Sequence, residues 1–576
     1  MQAAVRGQDG ACRQGVEESY FDDVVTAAPH LPTWVGELYL ETHRGTYTTQ
    51  GEIKRSNRKN ELLLREAELY GVLANLKGTE IDVATLRSAW LDLLLLQFHD
   101  ILPGSSIGAV YEEAAVDHAG IKATASGVRQ AALRALAQEA GPDELVVFNS
   151  MSWPRSDLVR AVVPVELVKE RDRLALQQSD GTIIPVQELG RDPDEVELLF
   201  NPSGVPGVGV AGLKLLAAVD PIESSLRVST SALENRFFRM ELDGKGGISR
   251  LFDKRFGREV VPPGCTANDL QLFQDGPERE AAWNVHATFD KRRYAWDDGL
   301  TVHVLEKGPV RASVRVVRRY RDSVLAQDVI LYDQVPRIDF VTRVDWRARQ
   351  VMLKAAFPVS IRSPRATYEV QFGAVERATH RNTSWEEEKF EVCAHRWADL
   401  SEAGYGVSLL NDCKYGYDVL ENVMRLTLLR GAEWPDPLAD VGKHEFVYSL
   451  LPHTGDWRDG GTVQYAWELN APMTCAVGAG SGSGEAWNES LLAVRGPAIL
   501  EALKPAEDGD GVIARLYEPY GGRGAVWVAT PADRITVVPC NHVEEAQSDV
   551  DVRVEGGGFG FSVTPYQVRS FRLWFE

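Results

Sequence analysis

What this chain has little of narrows it first. Its 576 residues include six cysteines, Cys12, Cys265, Cys393, Cys413, Cys475 and Cys540, with no CxxC pair among them. That scatter builds neither a disulfide framework nor a zinc knuckle, and it suits a reducing compartment, so a cytoplasmic location is expected. No run of about 18 apolar residues occurs, so no membrane-spanning helix is expected. The first ten residues, Met1 to Gly10, hold no apolar signal core. Basic charge is short as well: 62 Lys and Arg face 83 Asp and Glu, a net charge of −21. A surface of that sign argues against a nucleic-acid partner, because phosphate binding takes a basic face. Internal repeats are absent. What is present is ordinary for a globular protein, 44% hydrophobic and 25% charged.

In chain order, residues 1–33 are too short for a domain and predict one short helix, with Tyr20, Phe21, Val24 and Val25 along one side. Residues 34–141 read as helical. Ser56 to Leu76 carries Leu62, Leu63, Leu69, Leu73 and Leu76 on one stripe and closes at Gly78. Ala84 to Phe98 repeats the pattern, and Thr79 to Asp82 resembles a capping box that opens it. Ile107 to Ala140 is Ala-rich, without proline, and Gly141-Pro142 ends it. Three helices with short connections predict a bundle. From Leu145 the period falls to two, most clearly at Val310 to Tyr320 and Ile338 to Trp346. The Gly/Ser stretch Gly478 to Glu485 is the best linker candidate. It divides a large β region, 145–477, from a terminal β domain, 485–576. The predicted class is α+β and multidomain, mostly β, a three-helix bundle followed by β-sandwich domains.

The stretch from Gln97 to Ser106 holds the clearest chemistry. Pro103-Gly104 stops one helix, and Ser105 or Ser106 is expected to cap the next. His99 and Asp100 then sit at a helix C-terminus, where the dipole favours a cation. A His beside an Asp suits a metal ligand or an acid/base pair; a capping or packed His is the plainer alternative.

Residues 32–50, Pro-Thr-Trp-Val-Gly-Glu-Leu-Tyr-Leu-Glu-Thr-His-Arg-Gly-Thr-Tyr-Thr-Thr-Gln, with Lys54, Asn57, Arg58 and Glu61, resemble a signature of the family 38 glycoside hydrolases, the class II α-mannosidases. The bacterial and vacuolar branch is nearest. Residues 97–106 resemble that family's second signature, whose His is a ligand of the catalytic zinc. The resemblance implies a zinc-dependent retaining α-mannosidase acting on terminal α-mannosyl residues of oligosaccharides or glycans. It makes residues 1–33 the remnant of the N-terminal catalytic barrel and 34–141 the middle domain.

In that family the zinc is held by an HxD pair, by the nucleophilic Asp and by the later His, which His99 matches. None of the 11 histidines here is followed two residues later by Asp. The nucleophile, the acid and three of four metal ligands are therefore expected outside this sequence, and the isolated chain is expected to be inactive. By the same resemblance Asp100 orients the site or bonds the sugar, a local turn carboxylate being an equal alternative. His43, Arg44 and Tyr47 would line the −1 subsite, as polar and aromatic side chains suit a sugar. A loop near Asn411, Asp412 and Lys414 would reach it too. Trp283 is set apart, because the residues before it depart from the family pattern. The expected partners are a mannose-containing oligosaccharide and a separate chain carrying the barrel, with a homo-oligomer also open. The rival reading is a non-catalytic, carbohydrate-binding or scaffolding β-rich protein.

Overall fold

The computed structural model describes residues 4–6, 12–14, 17–28, 30–138, 140–169, 173–217, 223–276, 280–480 and 486–575. The chain separates into two compact units, Met1–Glu41 and Thr42–Glu576. In the first, Ala4–Arg6 pairs antiparallel with Cys12–Gln14, and α1 spans Glu17–Ala27, where one helix was predicted. None of α1's residues is buried. Phe21, Val25, Leu31, Trp34, Val35, Leu38 and Leu40 are each more than half exposed.

The second unit is organised on α2, Gly51–Leu76. It begins five residues before the predicted Ser56. The reason lies far away in the chain: the Asp440 carboxylate accepts from the Gln50 and Gly51 amides at 2.9 and 2.7 Å, ending the helix with a tertiary cap. Lys54, Arg58, Arg65 and Glu66 are all buried on it. Buried charges need partners, and here other elements supply them. Arg58 donates to Tyr415, Asn470 and the His395 carbonyl. Arg65 donates to the Leu500, Glu501 and Ser150 carbonyls, and Glu66 pairs with Arg129 at 2.7 Å.

Two further helices, α3 (Leu86–Leu96) and α4 (Gly108–Leu136), pack beside α2. Leu64, Ala67, Ala89, Leu93, Leu96, Tyr111, Ala114 and Ile121 share one core. Two predicted caps are not there. Thr79–Asp82 does not open α3: Asp82 is spent on the Ala84 amide, Asn75 takes the Ile81 amide, and α3 starts without a side-chain cap. Val83 in this connection lies against Gly71, where a Cβ would come within 2.3 Å of it. Ser105 and Ser106 do not cap α4 either, because both hydroxyls turn back to Asp100.

The rest is mostly β. A nine-stranded sheet holds the predicted strands as Arg311–Tyr320 and Ile338–Trp346, and a six-stranded sheet runs beside it. Phe340 and Tyr448 of the first meet Phe357 of the second, with ring centroids 5.6 and 6.1 Å apart. An eight-stranded sheet takes Thr474–Val477 on Glu144–Asn149 and Trp487–Ser490 on Gly209–Ala217. The strands flanking the Gly/Ser stretch thus join one sheet; residues 481–485 of that stretch lie outside the described residues. Two four-stranded sheets close the chain. Leu500, Leu516, Val526, Phe559 and Phe571 from them share a core with Leu69 and Leu73 of α2.

Candidate functional site

The site is built at the N-terminal end of α2. After Leu96 the chain leaves α3 in a tight turn, and His99 stands in it with its side chain 74% exposed. The imidazole lies 4.3 Å from the Phe98 ring, and its Nε2 is 3.6 Å from Asp100 Oδ2. Asp100 is the hub of the turn. Its carbonyl accepts from the Ser105 amide, the Ser106 hydroxyl and the Tyr111 hydroxyl at 3.0 to 3.2 Å. Its Oδ1 accepts from the Ser105 hydroxyl at 2.8 Å. Burial pushes the Tyr111 phenol up to about 12, so it stays a neutral donor. One carboxylate oxygen thus shapes the turn while the other faces His99.

The turn leans on residues 43–50. Gly104 sits at φ +89, and a Cβ there would fall 2.3 Å from the Thr49 carbonyl oxygen. The Thr46 hydroxyl donates to the His43 carbonyl, and His43 Nδ1 is 3.1 Å from the Thr42 hydroxyl. Tyr47 closes the short turn Gly45–Tyr47, half-buried. Arg44 is buried and committed: it donates to the Glu388 carbonyl at 2.8 and 3.1 Å, pairs with the Glu388 carboxylate, and lies over the Phe390 ring. Below it Arg430 grips Asp275 bidentately at 2.7 and 2.9 Å and also donates to the Thr49 hydroxyl and the Asn284 carbonyl. The Gly45 amide donates to the Trp283 carbonyl at 2.7 Å. Trp283 therefore touches this stretch through its main chain, and its ring packs on Trp434.

Lys54, Asp440, Lys414 and Arg430 form the charged surroundings of the helix start. Burial draws the Lys54 ammonium down to about 7 against the pull of Asp440, with Lys414 and Arg430 adding to the fall. Lys414 is buried with its ammonium 4.2 Å from the Phe446 ring centroid. Asp412 lies beside Lys59, further along α2. Burial would raise its carboxyl, but Lys59 at 3.0 Å and the Val447 amide at 2.9 Å outweigh that and hold it below the usual range.

The structure thus brings the His99–Asp100 turn and the His43–Tyr47 stretch together through Thr49. It sets Lys414 behind them and Asp412 beside Lys59. Sequence reasoning missed Arg430 and Asp440 and the partners that Asp275 and Lys54 find here. Asp440 lies 390 residues from the amide it caps, Arg430 lies 155 from Asp275, and Lys54 reaches 48 and 49 residues ahead, so no local pattern signals them.

A zinc site takes three or four protein ligands. Among the described residues no group of three or more His, Cys, Asp and Glu side chains is placed to hold a metal ion. His99 with Asp100 does not by itself fit a zinc site. The surface beside His99 is apolar: Leu91, Leu94, Leu95 and Phe98 follow one stripe of α3 and its end, each more than half exposed. Ile107, Trp434 and Leu438 are exposed to the same degree. No described helix is long and apolar enough to cross a membrane.

Comparison with known proteins bears on all of this. Residues 41–136 match the alpha mannosidase middle domain, 233–438 the glycosyl hydrolases family 38 C-terminal domain, and 497–571 that family's C-terminal beta sandwich domain. Alpha-mannosidase 2C1 of Mus musculus is 34% identical over 557 residues, 94% of this chain and 51% of the relative. Alpha-mannosidase G of Dictyostelium discoideum is 29% identical over 593 residues, 95% of this chain and 53% of the relative. The chain thus spans about half the length of the curated relatives it matches. The crystal structure of an alpha-mannosidase from Enterococcus faecalis shares the fold, with a TM-score of 0.75 at 16% identity over 96% of this chain and 72% of that one. By these matches the chain belongs to family 38 of the glycoside hydrolases, of which it carries the C-terminal portion.

Proposed function

We propose that this chain is the middle and C-terminal part of a zinc-dependent retaining α-mannosidase that acts on terminal α-mannosyl residues of oligosaccharides or glycans in the cytoplasm. The observation that carries the reading is the His99–Asp100 turn, seated against Thr49, two residues past Tyr47, with its imidazole open to solvent. In this reading the three packed helices are the family's middle-domain bundle and the sheets its β-sandwiches. Retention requires a nucleophile and an acid about 5–5.5 Å apart. Both, with three of the four zinc ligands, would come from a barrel occupying the remaining length of such relatives.

His99 would offer the last zinc ligand, and zinc would grip the sugar's hydroxyls as a Lewis acid. Asp100, His43 and Tyr47 would line the sugar. Arg44, tied to Glu388, would stiffen that wall, and Asp412 and Lys414 would brace the loop behind it. The apolar stripe of α3 is the kind of surface a partner domain covers.

An aryl α-mannoside assay of the purified chain, with and without zinc, should show no hydrolysis above background, since groups that act as a unit fail together. Co-expression with the N-terminal half of a family relative should restore turnover, and His99→Ala should abolish it. Turnover by the chain alone, or restoration that ignores His99, would overturn the reading.

A further inference from the structure

Lys54 has no part in the chemistry described so far, yet its bonds are unusual. Its ammonium is buried in the first turns of α2 and spends three bonds on three main-chain oxygens: Thr49 at 2.5 Å, Leu102 at 2.9 Å and Pro103 at 3.2 Å. The first belongs to the stretch that follows Tyr47. The other two belong to the turn that carries His99 and Asp100. Hydrogen bonds are strongest where water is excluded, and below pH 7, where the Lys54 amine is protonated, these three gain its charge as well.

The turn's other bonds are of a different kind. Ser105 and Ser106 converge on Asp100 and fix the turn's internal shape, Tyr111 ties it to α4, and the Gln97 side-chain amide at its entrance donates to the Asn57 and Glu61 side chains of α2. Lys54 reaches across to another segment, and Gly104, in contact with the Thr49 main chain, leaves no room for slack between the two. A neutral side chain of equal length would fill the space but leave three carbonyls without that donor.

We propose that Lys54 is a positioning residue. Its ammonium rivets the His99 turn onto Thr49 and so sets where the imidazole stands relative to the His43–Tyr47 wall. The inference deepens the mannosidase reading and rests on it for what His99 binds.

Hydrogen exchange followed by mass spectrometry on the full chain tests it without any assay of turnover. In Lys54→Met, the peptide covering 97–106 should exchange roughly ten- to a hundredfold faster than in the parent, as loss of a charged donor to buried carbonyls implies. Leu69→Ala, a cavity elsewhere on α2, serves as the control at a matched melting temperature. It should leave 97–106 unchanged. Lys54→Gln keeps two donors, serves if the Met variant does not fold, and should show a smaller acceleration confined to the same peptide. Exchange at 97–106 no faster than in the Leu69→Ala control would overturn the assignment. So would acceleration spread evenly over α2 and the sheets, which marks general support. Failure of a reconstituted enzyme to cleave mannosides would count against the role of His99 and leave the exchange result standing.

Discussion

Arg430 and Asp275 lie 155 positions apart in the chain and are 0% and 1% exposed as side chains. Removing one partner of such a pair leaves a charge in the dark. Arg430→Met should therefore cost about 3–5 kcal/mol, read by urea denaturation, and the loss should be smaller when Asp275→Asn is added. Glu468 sets a pH dependence. Burial and the neighbouring Asp157 raise its carboxyl to about 7, against the pull of Arg155. A raised carboxyl stabilises the fold below its unfolded value of about 4.5 and loses that contribution as pH climbs through 7. Between pH 5 and 8 the chain should lose about 2 kcal/mol from this group, and Glu468→Gln should flatten the curve. His99 is expected to bind zinc weakly and below one equivalent. Equilibrium dialysis checks this; tight, stoichiometric zinc that His99→Ala removes would show a complete site.

At the scale of elements, the helices and the clearest strands were legible because their periodicity is local. Ile338–Trp346 was readable to the residue, since alternation over nine positions has one solution. The start of α2 was not, because its cap is the side chain of Asp440. Asp440→Ala should cost about 1–2 kcal/mol, the range of a lost N-cap, by thermal or chemical melting. The candidate site divides along the same line. Residues 32–50 with Lys54, and 97–106, could be matched as motifs, whereas the bonds of Lys54 to Leu102 and Pro103 and the pair of Arg430 with Asp275 come from folds in the chain that no motif shows. Arg44 shows the limit of a motif: the position was found, but its commitment to Glu388 was not. The outer stripe of α3 carries its own consequence. With Leu94 and Leu95 exposed beside Leu91 and Phe98, the chain should self-associate at micromolar concentration in light scattering. Leu94→Glu with Leu95→Glu should shift it toward monomer with little change in melting temperature.

Over the whole second unit, α2 is the member shared by regions that are distant in sequence. Leu64 sits in the core formed with α3 and α4, and Leu69 and Leu73 in the core of the last two sheets. Its buried arginines find their acceptors at 395, 415 and 470 and at 500–501. During synthesis these acceptors emerge long after the helix itself. Until then Arg58 has only water, Arg65 only the Ser150 carbonyl, and Leu69 and Leu73 have no sheet to cover. Contacts of such long sequence separation form late and slowly. This long helix is thus made well before the strands that finish it, and a ribosome stalled before residue 500 would hold a nascent chain that chaperones can still bind along α2.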